Sequence, residues 1–345
     1  MCLYPKLIPN PKYRSNKKNG GVIPKCQDER VKWVPVGCGQ CFECRRKKRN
    51  EWMNRLLYEF RNDDECCFVT LTFSEENLEK LCKEFGVTES NFIATKAVRR
   101  FLERWRKLTK KSVKHWLITE LGHHNTERIH VHGILWTKKD KEFIEKVWGY
   151  GMIYVGEFCN EKTINYIVKY ITKSDFDHKG YAPIILCSSG IGRGYEESNQ
   201  AGWNKYKPNG MTDESYRLKN GQRTGLPIYW RNKIYSEEER EMLWIEKLNK
   251  QERWVDKIKI DVSENDEEYY RVLGVAREKN KRLRYGDNSK EWQKKDYNVT
   301  VNMLKKLTDI ALEKSNPAEF YARQAEKVKA YEKREMLKKV KKGTT

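Results

Sequence analysis

The sequence predicts a fold of the α+β class, with a central antiparallel β-sheet flanked by helices and a helical extension at the C-terminal end. Two observations carry this prediction. From residue 66 to residue 173, segments typical of strands and helices follow one another in the order strand, helix, strand, strand, helix, strand, helix. Residues 236–345 are rich in Glu, Lys, Arg and Leu, a composition that indicates solvated helices, notably at 237–249 and 318–342.

The region that precedes the sheet comprises residues 1–62. Residues 1–45 are rich in Pro, Gly, Asn and Lys and show no sustained period, which is typical of irregular structure. From residue 45 to residue 61, apolar side chains recur at helical spacing behind a run of basic residues. We therefore expect a Cys-containing irregular segment followed by a basic amphipathic helix.

The sheet itself is predicted within residues 63–235. The β-branched and aromatic run at 66–73 predicts a central strand with both faces covered. Strand patterns recur at 113–121, 129–136 and 152–158, and helical patterns occur at 95–108, 139–148 and 163–173. A short polar connection at 122–128 predicts that the two middle strands form a hairpin. The weakly periodic stretch 180–225 predicts a long loop region.

The charge of the chain favours a polyanionic partner. The 345 residues include 70 Lys and Arg against 49 Asp and Glu, which leaves a net charge of +21. Each contact with a phosphate releases condensed counterions, so nucleic acid is the expected partner, although such charge can also serve solubility alone. No segment approaches the ~18 apolar residues of a bilayer span, and the first residues lack the apolar core of a secretion signal. We expect no membrane partner and a reducing cytoplasm.

His130 and His132 are the first candidate metal ligands. Residues two apart in a strand project from the same face, so the two imidazoles could hold one metal ion. Glu120 ends the neighbouring strand, and two His with a carboxylate leave open positions on a divalent metal. The alternative is a pair of half-buried polar residues on a sheet. The other histidines lack this context and are expected to be ordinary surface or loop residues; they are His115, His123, His124 and His178.

Tyr166 and Tyr170 are four residues apart on a predicted helix and therefore share a face, with Lys169 and Lys173 three positions after each of them. A phenol is a weak nucleophile until a nearby cation or metal favours the phenolate. Taken alone, the pattern also fits a helix with Tyr packed on a core and Lys in water. Together with a two-His metal site in a basic chain, it fits metal-assisted transesterification of a phosphodiester through a covalent phosphotyrosine.

The N-terminal cysteines follow the spacing Cys38-x-x-Cys41-x-x-Cys44. Cys26 or Cys2 could complete a four-thiolate zinc site in a segment that cannot bury much core, and the set with Cys26 is the candidate zinc site. An iron–sulfur site and reduced cysteines in a turn are the alternatives. The remaining thiols are expected to be packing residues; they are Cys66, Cys67, Cys82, Cys159 and Cys187.

A basic cluster follows directly on these cysteines, and Trp52 lies just beyond it. The cluster could grip DNA phosphates while Trp52 stacks on a base, or it could be the solvated start of a helix. It consists of Arg45, Arg46, Lys47, Lys48 and Arg49.

Three motifs, taken in order, resemble those of the HUH endonucleases that initiate rolling-circle replication. They are the strand at 68–73, His130-Val131-His132, and Tyr166-x-x-x-Tyr170 with Lys169 and Lys173. The two-tyrosine form is similar to the replication initiators of microviruses. Segments at 38–46, 190–193 and 226–231 resemble the gokushovirus branch, so the resemblance covers about residues 1–235 and makes 63–235 the expected HUH nuclease domain.

The resemblance implies a nickase and strand transferase. One tyrosine would cut a single-stranded origin and hold the 5′ end, the free 3′ hydroxyl would prime the host polymerase, and the second tyrosine would attack the regenerated origin so that the ends are rejoined. It implies nucleophiles Tyr166 and Tyr170 with basic partners Lys169 and Lys173, and Mg²⁺ or Mn²⁺ on His130, His132 and Glu120.

The implied partners are single-stranded origin DNA and the replication polymerase and helicase of a bacterial host, in whose cytoplasm the protein would act. Two other readings remain. A plasmid relaxase or single-strand transposase shares the motifs, and a non-enzymatic single-stranded-DNA-binding or packaging protein would use the same charge and aromatic residues without cutting.

Overall fold

The computed structural model describes residues 1–122, 127–156, 158–173, 175, 177–178 and 181–285, together with short helical stretches between residues 317 and 329. The strands are β1 (Lys6–Pro9), β2 (Trp33–Val36), β3 (Cys66–Leu71), β4 (Lys114–Leu121), β5 (Ile129–Trp136), β6 (Ile153–Val155), β7 (Ile185–Cys187), β8 (Ser215–Arg217), β9 (Arg223–Gly225), β10 (Glu252–Val255) and β11 (Ile258–Asp261). The α-helices are α1 (Phe42–Asn62), α2 (Glu75–Phe85), α3 (Ser90–Thr109), α4 (Lys141–Trp148), α5 (Glu161–Val168), α6 (Ile228–Ile234), α7 (Glu237–Asn249) and α8 (Glu267–Arg282). His123, His124 and most of the helix predicted at 318–342 lie outside the described residues.

The central sheet contains β3 to β7 in the order β6-β3-β5-β4-β7. Every neighbouring pair of strands is antiparallel, which confirms the predicted fold class. The predicted pairing of the two middle strands is also confirmed, and it sets Glu120 of β4 opposite His130 of β5. Within the stretch predicted as loop, β7 adds a fifth strand; its three residues are too few to show an alternating pattern.

Helices cover both faces of the sheet. Side chains at alternate strand positions point to opposite faces. On one face Val131 and Leu135 of β5 pack with α2, α3 and α4. On the other face Ile134 of β5 packs with residues of α1 and α5. Because His130 and His132 share the parity of Ile134, they lie on the face that α1 and α5 cover.

Helix α2 was not predicted from the sequence, although it carries recognisable end signals. The side chain of Ser74 caps its N-terminus by accepting a hydrogen bond from the backbone N–H of Asn77, and Gly86 ends it in the left-handed conformation, with φ of 61°. Only a few apolar side chains face the core among its charged residues, which weakens the periodic signal. The helix predicted at 163–173 is α-helical only as far as Val168 and continues as a 3₁₀ turn over Lys169–Ile171.

The chain ends also contain structure that the sequence did not predict. Strands β1 and β2 pair antiparallel, with Lys6 opposite Val36, inside the segment expected to be irregular. Helix α7 confirms the helix expected at 237–249, but a β-hairpin of β10 and β11 follows it and packs with α8 against the N-terminal cysteines. Among the described residues, no helix is both long enough and apolar enough to cross a membrane.

Gly133 gives a test of the pairing between β4 and β5. It lies opposite Leu117, and a Cβ at this position would clash with the carbonyl oxygen of Trp116 and stand 2.8 Å from Cα of Leu117. Since neither neighbour is the end of a flexible side chain, we expect Gly133→Ala to lower the free energy of unfolding by at least about 2 kcal/mol. Urea denaturation measures this loss. The control, Gly225→Ala, adds a Cβ that meets nothing within 4 Å and should change the stability by less than about 0.5 kcal/mol.

Candidate active site

Three strands of the sheet bring polar side chains together beneath α5. In the paired strands, Glu120 of β4 stands opposite His130 of β5, and Thr70 of β3 stands opposite His132. Because the two histidines are separated by one residue, they project from the same face. The site therefore follows from strand register, and the sequence pattern singled out all of these residues except Thr70.

His132 is held at both ring nitrogens. Its Nε2 donates to Oε2 of Glu120 at 2.8 Å, and its Nδ1 is hydrogen-bonded to Oγ1 of Thr70 at 3.0 Å. Lys173 donates to the other carboxylate oxygen of Glu120. Burial by itself raises the pKa of Glu120, but the hydrogen bonds from His132 and Lys173 outweigh burial and lower this pKa. The site thus holds a charged carboxylate between an imidazole and an ammonium group.

The two tyrosines lie directly beside this imidazole. The hydroxyl oxygens of Tyr166 and Tyr170 are 2.9 Å apart, although the helix tightens between them into a 3₁₀ turn. The ring of Tyr170 is stacked on the ring of His132, with 4.8 Å between centroids and 2° between planes. The structure therefore brings the tyrosine pair and the histidine motif into one site.

The two phenols differ in their surroundings. Tyr166 is 46% exposed, whereas Tyr170 is 6% exposed. Burial, followed by the hydrogen bond from Tyr166, raises the pKa of Tyr170 well above its ordinary value. The ammonium group of Lys169 lies 3.6 Å from the centroid of the Tyr166 ring. Tyr166 is thus the accessible phenol, next to a cation, and Tyr170 is the buried one.

The donor set at this site suits a divalent ion of the Mg²⁺ or Mn²⁺ kind, because it combines imidazole with carboxylate and leaves open positions. His132 and Glu120 already meet. His130 lies farther off: its ring centroid is 6.3 Å from that of His132, and a Cβ on Gly122 would be 3.2 Å from its Cε1. Burial chiefly lowers the pKa of His130, which favours the neutral, ligating form. To join the other two ligands on one ion, the His130 side chain would have to turn toward Glu120.

Phe68 of β3 is an aromatic neighbour whose role the sequence did not reveal. Its ring centroid is 6.4 Å from that of His132 and 6.3 Å from those of Tyr154 and Tyr166. Tyr154 belongs to the edge strand β6 and is exposed. The alternation of side chains along β3 puts Phe68 and Thr70 on one face, and this was the available signal.

The cysteine prediction is right for three residues and wrong for the fourth. The sulfurs of Cys38, Cys41 and Cys44 form a group with Cys2, and the ligand atoms all lie within 4.8 Å of one another. Cys26 is not part of it and donates instead to the backbone carbonyl of Asp28. The reason is the pairing of β1 with β2, which places the residues before β1 beside those after β2.

The basic cluster is more tied up than the sequence suggested. Arg46 forms ion pairs with Glu43 and with Asp256. The side chain of Arg45 donates to a backbone carbonyl, and Arg49 donates to the neighbouring Asn50. Lys47 and Lys48 remain exposed. Those two lysines are therefore the members of the cluster most open to a phosphate.

Two aromatic or histidine predictions change with the tertiary structure. Trp52, expected to stack on a base, packs against the buried Trp116, with 5.8 Å between ring centroids. His115, expected at the surface or in a loop, is buried in β4 and lies 3.0 Å from the hydroxyl of Ser188. Burial chiefly lowers the pKa of His115. His178 bonds to the carboxylate of Asp175. The five thiols expected to pack do so, partly buried against the two sides of the sheet.

Residues 66–175 match a family model described as Replication-associated protein ORF2/gene 2 protein. The matched segment contains Glu120, both histidines of the motif and both tyrosines. Comparison with curated proteins gives no significant match, and comparison with solved structures gives none either.

Proposed function

We propose that this chain is a metal-dependent DNA endonuclease and strand transferase of the two-tyrosine HUH type, which initiates rolling-circle replication of a gokushovirus-like phage in the cytoplasm of its bacterial host. The observation that carries the proposal is the pair of phenol oxygens 2.9 Å apart beside the His132–Glu120 pair. The match of the surrounding segment to a replication-associated family supports it.

In the proposed reaction a phenol oxygen attacks a phosphodiester of the single-stranded origin. The bond from phosphorus to the phenol oxygen forms while the bond from phosphorus to the 3′ oxygen breaks. The phenol loses its proton, and the 3′ oxygen gains one and leaves as a free hydroxyl that can prime the host polymerase. The 5′ phosphate stays on the tyrosine until a later attack rejoins the strands. A host helicase would unwind the duplex ahead of the polymerase.

The exposure of the phenols suggests an order of attack. Tyr166 is open to an incoming strand, and the Lys169 ammonium group beside its ring favours the phenolate. Tyr170 can donate its hydroxyl proton to the Tyr166 oxygen and so stabilise the charge that develops there. We therefore assign the first cut to Tyr166 and the closing attack to Tyr170.

His130, His132 and Glu120 would hold a Mg²⁺ or Mn²⁺ ion, whose chemistry is to polarise the scissile phosphate. With Nε2 of His132 turned to a ligand, its Nδ1–H would donate to Thr70 and fix the orientation of the ring. Lys173, which pairs with Glu120, holds the carboxylate beside the imidazole. Phe68 and the exposed Tyr154 offer ring faces on which bases of the single strand could stack.

A covalent-adduct assay tests the proposal. The full chain is incubated with Mn²⁺ and single-stranded DNA that contains the origin of a circular phage genome, and the products are separated on a denaturing gel. We expect a protein band shifted by attached DNA, together with a released fragment that ends in a 3′ hydroxyl. Controls are a chelator and DNA without an origin. Salt-dependent binding with no adduct on any phage-type genome would favour the non-enzymatic single-stranded-DNA-binding protein instead.

A further inference from the structure

The sulfurs of Cys2, Cys38, Cys41 and Cys44 form a compact group at the start of α1. They all lie within 4.8 Å of one another, and the separations between Cys38 and Cys44 and between Cys2 and Cys41 are both 3.9 Å. Four sulfurs bound at about 2.3 Å to a tetrahedral zinc ion lie about 3.8 Å apart. The group therefore has nearly the dimensions of a single-ion site, and all four thiols are free.

The backbone is shaped around these sulfurs. The N–H of Cys38 donates to the sulfur of Cys2 at 3.2 Å, and the N–H of Cys41 donates to the sulfur of Cys38 at 3.3 Å. Hydrogen bonds of this kind stabilise negative charge on an acceptor. Gly37 passes so close that a Cβ there would stand 3.1 Å from the sulfur of Cys44. Both features suit a cluster of thiolates and leave little room for larger groups.

We propose that Cys2, Cys38, Cys41 and Cys44 bind one structural zinc ion. Thiolates are soft ligands that zinc accepts readily, and four protein ligands close the coordination sphere, as in structural rather than catalytic sites. Binding of the ion releases the thiol protons to solvent. A cluster of several iron atoms would need the sulfurs to surround a larger core, whereas this group fits one ion.

The ion would join segments that are far apart in the sequence. Cys2 precedes β1, and the other three ligands lie between β2 and the first turn of α1. The hairpin β10–β11 and helix α8 pack on the same cluster through Val255, Ile260, Val272, Leu273 and Ala276. A unit of this size buries too little apolar surface to be stable alone, so a metal at its core would contribute much of its stability.

Contacts lead from this cluster to the segment that carries Lys173. Arg45 follows the ligand Cys44, and its guanidinium lies 4.6 Å from the centroid of the Tyr285 ring. The hydroxyl of Tyr285 donates to the backbone carbonyl of Thr172. Loss of the ion is therefore expected to loosen α8 and, through Tyr285, to weaken the hold on the residue before Lys173.

Metal analysis of the intact protein tests the proposal. The full chain is purified under reducing conditions from zinc-supplemented culture, and its metal content is measured by mass spectrometry. We expect about one zinc ion per chain. After the metal is stripped, Co²⁺ should produce the thiolate charge-transfer absorption of a tetrahedral all-sulfur site. A wild-type protein with neither zinc nor this absorption would overturn the proposal, and so would iron accompanied by inorganic sulfide.

Two matched cysteine variants test which thiols are ligands. Cys2→Ser should weaken zinc affinity at least about 100-fold, because even partners outside the ligand set affect affinity 10- to 100-fold. Cys26→Ser removes a thiol from the same part of the chain and should retain wild-type affinity. Loss of zinc in Cys26→Ser but not in Cys2→Ser would contradict the assignment.

Hydrogen exchange keeps the proposal testable if the Cys2→Ser variant fails to fold. Stripping zinc from the wild-type chain should speed amide exchange at least about 10-fold in α8 and the β10–β11 hairpin, while β3 stays protected. Equal protection with and without zinc would show that the ion does not stabilise this unit.

Discussion

The double variant Tyr166→Phe/Tyr170→Phe is expected to form no covalent adduct with origin DNA, a loss of at least about 10⁴-fold in the rate of nicking, which is typical of removing an essential nucleophile. The substitution removes only the two hydroxyls and leaves the ring that stacks on His132. Binding of single-stranded DNA should keep its affinity and its salt dependence, because phosphate contacts are spread over many Lys and Arg side chains. Nicking is followed on denaturing gels.

The single variants separate the two roles. Tyr166→Phe should suppress the first cut on fresh DNA, whereas Tyr170→Phe should form the first adduct and then fail to release a closed circle. Tyr270→Phe is the matched control, because it removes an exposed phenol from α8 and should leave the whole cycle unchanged. If the double variant nicks at the wild-type rate, neither tyrosine is the nucleophile.

His132→Ala is expected to lower the nicking rate at least about 10³-fold, which corresponds to about 4 kcal/mol of transition-state stabilisation from the ligated ion. The substitution removes the partner of Glu120 and the ring against which Tyr170 is stacked. Thr70→Val provides a graded comparison, since it keeps the side-chain shape but removes the hydrogen bond to Nδ1. It should weaken the affinity for Mn²⁺ by about 10- to 100-fold.

Titration of the nicking rate with Mn²⁺ measures both effects. Raising the Mn²⁺ concentration should restore Thr70→Val and should not restore His132→Ala. Far-UV circular dichroism and the thermal midpoint check that both variants fold. Nicking by His132→Ala at a rate close to that of the wild type would exclude this histidine as a ligand.

Local periodicity predicted most of the central sheet and the outline of the site. Residues two apart in a strand share a face, so the common side of His130 and His132 followed from the sequence alone. Four-residue spacing on a helix likewise predicted that Tyr166 and Tyr170 would meet. These relations depend on neighbours along the chain, and the tightened turn after Val168 did not alter them.

Features that depend on distant pairing were beyond the reach of sequence patterns. The choice of Cys2 over Cys26 follows from the pairing of β1 with β2 across a long connection. The burial of His115 depends on the three-residue strand β7 beside it, and the packing of Trp52 depends on Trp116 from β4. Each of these contacts joins segments whose separation leaves no trace in local composition.

The mass of the DNA-linked peptide tests the central claim most directly. The covalent product is digested with nuclease and protease, and the modified peptide is sequenced by tandem mass spectrometry. We expect a 5′-phosphonucleotide on Tyr166 in the first-cut product of the wild-type chain, and on Tyr170 when the cycle is stopped after the closing attack. A link on a peptide that contains neither tyrosine would contradict the assignment of the helix above His132 as the catalytic element.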